Sequence, residues 1–240
     1  MDERIFPDLD ALSRAALEEL LRVLRDAVAA RGRFSVALSG GHTPMKLHIL
    51  WAHAERLGLR TPWDRIHLFW GDERYVPHDD PLSNYRMARE TLIDLVSVPA
   101  ANVHPMLADY PQPEKAAESY ESEMRKFFGS ATPAFDLQLM GMGPEGHTAS
   151  LFPGSPALEE TKRWVVAVEA PATPPQRLTL TPIVLNSGRN TFFLVSGADK
   201  REIMAAIRKE PDSGLSQYPA ARIHPAGRVL WFLDEVAAGK

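Results

Sequence analysis

Short apolar runs alternate with amphipathic helical segments along most of this chain, and this alternation restricts the possible folds more than any other feature. The runs at 34–38, 66–70 and 191–195 are rich in aliphatic and aromatic residues, and glycine follows each of them within two positions. Such runs predict strands that are buried on both faces of a sheet. Strands that alternate with helices predict an α/β fold, namely a doubly wound, mostly parallel, Rossmann-like sheet with helices on both faces.

The individual elements follow from periodicity and from glycine, proline and capping signals. The predicted strands cover residues 34–38, 66–70, 135–140, 163–168, 177–181, 191–195 and 229–233. The predicted helices cover residues 10–31, 84–95, 113–128 and 199–209, with a further helix from Thr43-Pro44 to about Glu55. No linker divides the 240 residues, so we predict one domain, 1–240, with a possible small subdomain near 163–181.

Composition and charge exclude several classes of function. The net charge of -4 argues against a broad nucleic-acid surface, so a few local cations must hold any anionic ligand. The absence of cysteine excludes disulfides, thiolate nucleophiles and cysteine-ligated metals. The acidic N-terminus is unlike a signal peptide, and no window approaches the roughly 18 apolar residues of a membrane span. We therefore expect a cytoplasmic protein without nucleic-acid or membrane partners.

The segment 135–153 carries the strongest functional signal from the residues themselves. Its apolar run ends in a turn with glycine at three positions, and His147 lies on that turn. In open α/β sheets ligands bind beyond the carboxyl ends of strands. Histidine is also the side chain whose unperturbed pKa, roughly 6.5, suits proton transfer near neutral pH. The segment predicts a functional histidine, with a structural turn that carries a surface histidine as the alternative.

A second strand end has the features of an anion site. The segment Ser39-Gly40-Gly41-His42-Thr43-Pro44 joins a predicted strand to a predicted helix. Backbone N–H groups and the partial positive charge of the helix N-terminus favour phosphate or carboxylate there. The segment matches neither the P-loop nor GxGxxG, and an ordinary tight turn is the alternative.

Charged residues at other strand ends supply the remaining candidates. Arg74 is a candidate anion clamp, and either Asp72 or Glu73 is a candidate to orient a base. Arg177 lies on a short alternating strand, and Lys200 begins a helix, where a cation opposes the helix dipole. Solvent-exposed charges are the alternative for each of them. The histidines show no metal-ligand spacing, so we predict no metal site.

Five motifs in order resemble those of the 6-phosphogluconolactonases, within the glucosamine-6-phosphate isomerase/6-phosphogluconolactonase family. The likeness extends from about Phe34 to Leu233. The motifs are Leu38 to Pro44, Gly71 to Pro77 with Ser83-Asn84, Gly141 to Pro153, Arg177 to Thr181, and Ser196 to Lys200.

The resemblance implies the fold of glucosamine-6-phosphate deaminase, with a small additional strand layer. It implies hydrolysis of 6-phospho-D-glucono-1,5-lactone in the oxidative pentose phosphate pathway, without a cofactor. It also implies that His147 is the general base and that Arg74, Arg177 and Lys200 lie near the phosphosugar. Glu145 stands where the family usually has aspartate, two residues before the histidine, and is a candidate either to orient His147 or to contact the sugar.

Together these observations predict how the substrate is held. The phosphate is expected on Ser39, Gly40, Gly41 and Thr43 with Arg177 and Lys200, Asp72 beside the sugar, and Arg74 at the oxyanion. The alternatives are a phosphosugar deaminase or isomerase, which Asp72 and Glu145 keep open, and a non-catalytic phosphosugar sensor. We expect a monomer or a weak homodimer.

Overall fold

The computed structural model describes residues 1–129, 131–209 and 216–240. Its nine strands are β1 (Glu3–Phe6), β2 (Phe34–Leu38), β3 (Ile66–Trp70), β4 (Asp72–Arg74), β5 (Leu137–Met140), β6 (Val165–Glu169), β7 (Gln176–Leu180), β8 (Asn190–Val195) and β9 (Arg228–Asp234). Its α-helices are α1 (Leu9–Arg31), α2 (His42–Ala52), α3 (Asn84–Thr91), α4 (Pro113–Phe128), α5 (Pro182–Leu185), α6 (Arg201–Ile207) and α7 (Glu235–Ala238).

Six strands form one parallel sheet in the order β1-β9-β8-β5-β2-β3. After β2 the chain continues outward to β3, whereas after β5 it continues in the opposite direction to β8. The loops that follow β2 and β5 therefore diverge, which leaves a crevice at the carboxyl ends of these neighbouring strands. All five residues of β2 are buried, so both faces of the sheet are covered at its centre.

Three strands form a separate antiparallel sheet in the order β4-β7-β6. Only Gly71 separates β4 from the end of β3, so this sheet continues directly from the carboxyl edge of the large one. The α/β fold, its mostly parallel sheet and the additional strand layer are thus confirmed. A single domain over the whole chain stays a prediction.

The apolar periodicity of α1 gives the helix one buried face. Leu12, Ala16, Leu20 and Leu24 are each at most 1% exposed. The Asp8 side chain caps the helix by accepting a hydrogen bond from the backbone N–H of Ala11 at 2.7 Å.

Several predicted element boundaries were wrong. Thr43 does not cap α2, because the helix already begins at His42 and its N-cap is Gly41. The predicted helix 84–95 ends at Thr91, because Leu92 leaves helical geometry before a short 3-10 turn. Lys200 does not begin a helix; it closes a 3-10 turn and precedes α6.

Strands β1 and β4 were missed. Strand β1 lies at the edge of the sheet, and its residues are only partly buried. Its sequence therefore has no continuous apolar run that would indicate a strand. Strand β4 is three charged residues long. Among the described residues, no helix combines the length and hydropathy needed to cross a bilayer.

Candidate active site

A cleft of about 320 Å³ lies at the carboxyl ends of the parallel strands, where the two sheets meet. It brings together nine of the ten predicted site residues: Ser39, Gly40, Gly41, Thr43, Asp72, Arg74, His147, Arg177 and Lys200. Glu145 is not among the lining residues. A larger cavity of about 710 Å³, beside Phe152 and β6, contains none of them.

His147 is held on the loop after β5 by close backbone contacts. Its carbonyl accepts a hydrogen bond from the N–H of Gly143 at 2.9 Å. A Cβ on Gly143 would lie 2.1 Å from Nδ1 and Cε1 of the imidazole, so only glycine leaves room for the ring. The ring of Phe152 packs against the imidazole, with 4.2 Å between the ring centroids. One imidazole position is therefore selected by packing.

Glu145 contacts the imidazole of His147 but does not line the cleft. Its Oε2 is 3.0 Å from Nδ1 of His147, although the two atoms are not aligned for a hydrogen bond. The extra methylene of glutamate, compared with aspartate, does not prevent this contact.

Arg74 and Arg177 form a cationic pair across the antiparallel ladder of β4 and β7. The two residues are partners in the register, so their side chains are neighbours. Arg177 is only 6% exposed, and its Nε donates to the carbonyl of Pro174 at 3.0 Å. Burial lowers the pKa of Arg177, and the charge of Arg74 adds to this effect. The Nε of Arg74 is buried and has no hydrogen-bond partner among the described residues. A bound anion would offset the burial of the Arg177 charge beside Arg74 and would give Nε of Arg74 a hydrogen-bond acceptor.

Lys200 lies on the turn after β8, on another side of the cleft. Its side chain is only 15% exposed, and Nζ is 2.7 Å from Oδ2 of Asp199. Asp199 also lines the cleft.

Asp72 connects β4 to the loop after β5 and to the start of α3. Its buried carboxylate accepts a hydrogen bond from the hydroxyl of Ser150 at 2.7 Å, and its carbonyl accepts one from Nδ2 of Asn84 at 2.9 Å. Ser150 is fully buried and engaged with this carboxylate, so it is no candidate nucleophile. Asp72 therefore fixes the β5 loop against β4.

Glu73 has a structural role and does not orient a base. Because side chains alternate along β4, it points away from Asp72 and Arg74 and towards α3. Its two oxygens accept hydrogen bonds from the N–H groups of Arg74, Asn84 and Tyr85 and from the hydroxyl of Ser83. Burial raises the pKa of Glu73 to about 7, although these donors act in the opposite direction.

The anion cradle after β2 is open towards the cleft. Gly41 caps α2 without a side-chain hydrogen bond, and both His42 and Thr43 line the cleft. Gly40 packs against Asn84, since a Cβ there would lie 1.9 Å from Oδ1 of that residue. In the ranges 1–129, 131–209 and 216–240, no group of three acidic, histidine or cysteine side chains is arranged to hold a metal.

Among the other described residues that line the cleft, sequence reasoning assigned no role to Asn84, Ala149, Ser196 and Asp199. All four lie inside the motifs described above. Ala149 adopts φ +48, which is unusual for a residue with a side chain and has no sequence signature.

Comparison with known proteins identifies relatives over nearly the whole chain. A family model described as glucosamine-6-phosphate isomerases/6-phosphogluconolactonase matches residues 7–231. A protein named 6-phosphogluconolactonase from Synechocystis sp. is 45% identical over 215 residues, which are 88% of this chain and 86% of that protein. The crystal structure of 6-phosphogluconolactonase from Thermotoga maritima has a TM-score of 0.84 and 31% identity, and the match covers 97% of this chain and 99% of that one.

The fold is shared more widely than the sequence. A monomeric glucosamine-6-phosphate deaminase matches 100% of this chain and 99% of its own with a TM-score of 0.82, at only 18% identity. At that identity the likeness concerns the fold alone.

Proposed function

Since the chain belongs to the glucosamine-6-phosphate isomerase/6-phosphogluconolactonase family, we infer that it is a lactone hydrolase that opens 6-phospho-D-glucono-1,5-lactone to 6-phospho-D-gluconate. We propose that His147 is the general base of this reaction. The observation that carries the proposal is one cleft that holds an imidazole together with three cationic side chains, Arg74, Arg177 and Lys200.

The phosphate is the anchor of the substrate. The start of α2 and the side chains of Arg177 and Lys200 offer a dianion backbone N–H groups and two cations. The protein itself carries a net charge of -4, so this local concentration of cations is needed to attract the ligand.

Hydrolysis then needs one base and one oxyanion partner. Glu145 beside Nδ1 of His147 favours the tautomer with the proton on that nitrogen, which leaves Nε2 to take a proton from water. The resulting hydroxide attacks the lactone carbonyl, and Arg74 stabilises the tetrahedral oxyanion. The bond from the carbonyl carbon to the ring oxygen breaks, and the imidazolium returns its proton to that oxygen.

A deaminase or isomerase is the second candidate, because it would use the same fold. That chemistry requires a carboxylate that moves protons at the sugar. Ser150 and Asn84 already engage Asp72, and Glu145 lies outside the cleft lining, which supports the lactonase. A non-catalytic sensor is the third candidate, and a turnover assay distinguishes all three.

The test measures acid release from the phospholactone above its spontaneous hydrolysis, and ammonia release from glucosamine 6-phosphate. We expect the wild type to release only acid. We expect His147→Asn to lower kcat by about 10²–10⁴, the range of general-base catalysis, with unchanged binding of 6-phosphogluconate. A variant with wild-type kcat would remove His147 from the mechanism, and release of ammonia alone would overturn the lactonase.

We further propose that the enzyme is cytoplasmic and works without a cofactor, nucleic acid or membrane. A chain without cysteine has no disulfide framework of the kind that stabilises secreted domains. We also propose a monomer or weak homodimer, since the large exposed apolar side chains of the described ranges, Met1, Leu82, Leu95 and Val236, come from separate segments of the chain.

A further inference from the structure

The three cations of the cleft differ in one respect. Lys200 already has a carboxylate partner, since its Nζ lies 2.7 Å from Oδ2 of Asp199. In the described part of the chain, neither Arg74 nor Arg177 has a carboxylate oxygen within the 4.0 Å of an ion pair. The hydrogen bonds of these two guanidinium groups go to the carbonyls of Leu82 and Pro174.

Asp199 is placed where it competes with an anionic ligand. It lines the cleft beside Lys200, and its side chain is 60% exposed, whereas that of Lys200 is 15% exposed. Asp199 is therefore the more solvent-exposed partner of this ion pair. A phosphate that reaches Nζ must displace the carboxylate or accept its repulsion at close range.

We propose that Asp199 is an internal counter-ion that competes with the phosphate for Lys200 and so weakens the binding of every phosphorylated ligand of the site. This inference rests on the proposed function, because it takes the phosphate to Lys200. Substrate and product carry the same phosphate, so the competition acts on both. Weaker uniform binding raises KM without lowering kcat, and it also reduces inhibition by the product.

Asp199→Asn is the direct test, because it removes the charge and keeps the shape. We expect KM for the phospholactone and the Kd for 6-phosphogluconate to fall together, by about three- to tenfold, as expected for a partly exposed charge. Turnover of unphosphorylated glucono-1,5-lactone should not change. Asp199→Glu, which restores the charge, should return both constants towards the wild-type values.

Asp26→Asn is the matched control, because it makes the same change in net charge far from the cleft. Asp26 is 67% exposed on α1, where it pairs with Arg22. This variant should leave KM and Kd unchanged. If it lowers them as much as Asp199→Asn does, the effect is one of net charge and the proposal fails.

A structural role for Asp199 has a different signature. If the residue only stabilises the turn before α6, Asp199→Asn should lower Tm and leave Kd for 6-phosphogluconate and for inorganic phosphate unchanged, which would overturn the proposal. Calorimetric binding of both ligands does not depend on turnover. Absence of lactonase activity in the wild type would overturn the proposed function. An unchanged Kd of Asp199→Asn for 6-phosphogluconate would overturn the proposal that Asp199 is a counter-ion.

Discussion

At the scale of single residues, the site depends on backbone positions that have no side chain. Gly143 and Gly141 lie on the same loop, but their surroundings differ. A Cβ on Gly143 would overlap the imidazole of His147 at 2.1 Å, whereas a Cβ on Gly141 would lie at an ordinary 3.6 Å from Oγ of Ser39. The two glycines therefore form a matched pair for mutagenesis.

We expect Gly143→Ala to lower kcat by about 10²-fold or more, because the displaced ring loses its alignment with the lactone. Gly141→Ala should stay within a few-fold of wild type. Rates above the spontaneous background and Tm values are the measurements. Equal losses in the two variants would show that loop rigidity matters and that room for the imidazole does not.

Glu145 lies beside the imidazole, with its Oε2 3.0 Å from Nδ1 of His147. We expect Glu145→Gln to lower kcat/KM by about three- to tenfold across its pH profile, because the amide favours the required His147 tautomer less strongly than the carboxylate does. Glu145→Asp should be tolerated. Identical profiles for the acid and the amide between pH 6 and 8 would rule out a catalytic charge at this position.

At the scale of elements, Glu73 joins β4 to the start of α3. One carboxylate satisfies three backbone N–H groups and one hydroxyl, and two of those N–H groups belong to the first turn of α3. The helix start, and with it Asn84 in the cleft, is therefore fixed to the strand that carries Arg74.

We expect Glu73→Gln to destabilise the protein by about 2–4 kcal/mol at pH 8, because the new amide NH₂ faces buried N–H donors. Glu90→Gln, on the exposed face of α3, removes only an ion pair with Arg86 and should cost no more than about 0.5 kcal/mol. Urea unfolding of both variants measures the difference, and similar midpoints would refute the role of Glu73 in joining the two elements.

At the scale of the whole molecule, the fully buried His48 and the partly buried His67 make stability depend on pH. Burial lowers the pKa of His48 to about 4, and burial together with His104 and Arg33 lowers the pKa of His67 to about 4. An unfolded histidine titrates near 6.5, so between pH 6.5 and 4 the unfolded chain binds more protons than the folded one. The contribution of these residues to stability is complete above pH 6.5 and is lost as the pH falls through this range.

We expect the wild type to lose about 2 kcal/mol more than His48→Leu between pH 7.5 and pH 5, from the fully buried His48 alone. Comparison with the variant isolates this effect from Glu73, whose raised pKa has the opposite sign: its contribution falls as the pH rises from 4.5 to 7. Parallel stability curves for wild type and variant would contradict the prediction.

The sequence alone determined the alternation of strands and helices and the turns that carry His147, Gly40 and Gly41. These signals are local, because an apolar run followed by glycine marks a strand end whatever its neighbours are. Carboxyl ends of parallel strands meet at one edge, so the local signals also indicated which residues meet in the cleft, and the resemblance added the lactone substrate.

Only the tertiary structure decided how those residues pair. The sequence did not distinguish the cleft-lining Asp72 from Glu73, because β4 was not recognised as a strand with two faces. The register that sets Arg74 beside Arg177 depends on strands far apart in the chain, and so does the hydrogen bond between Asp72 and Ser150, 78 residues apart. Such contacts follow from the packing of the two sheets, which no local pattern encodes.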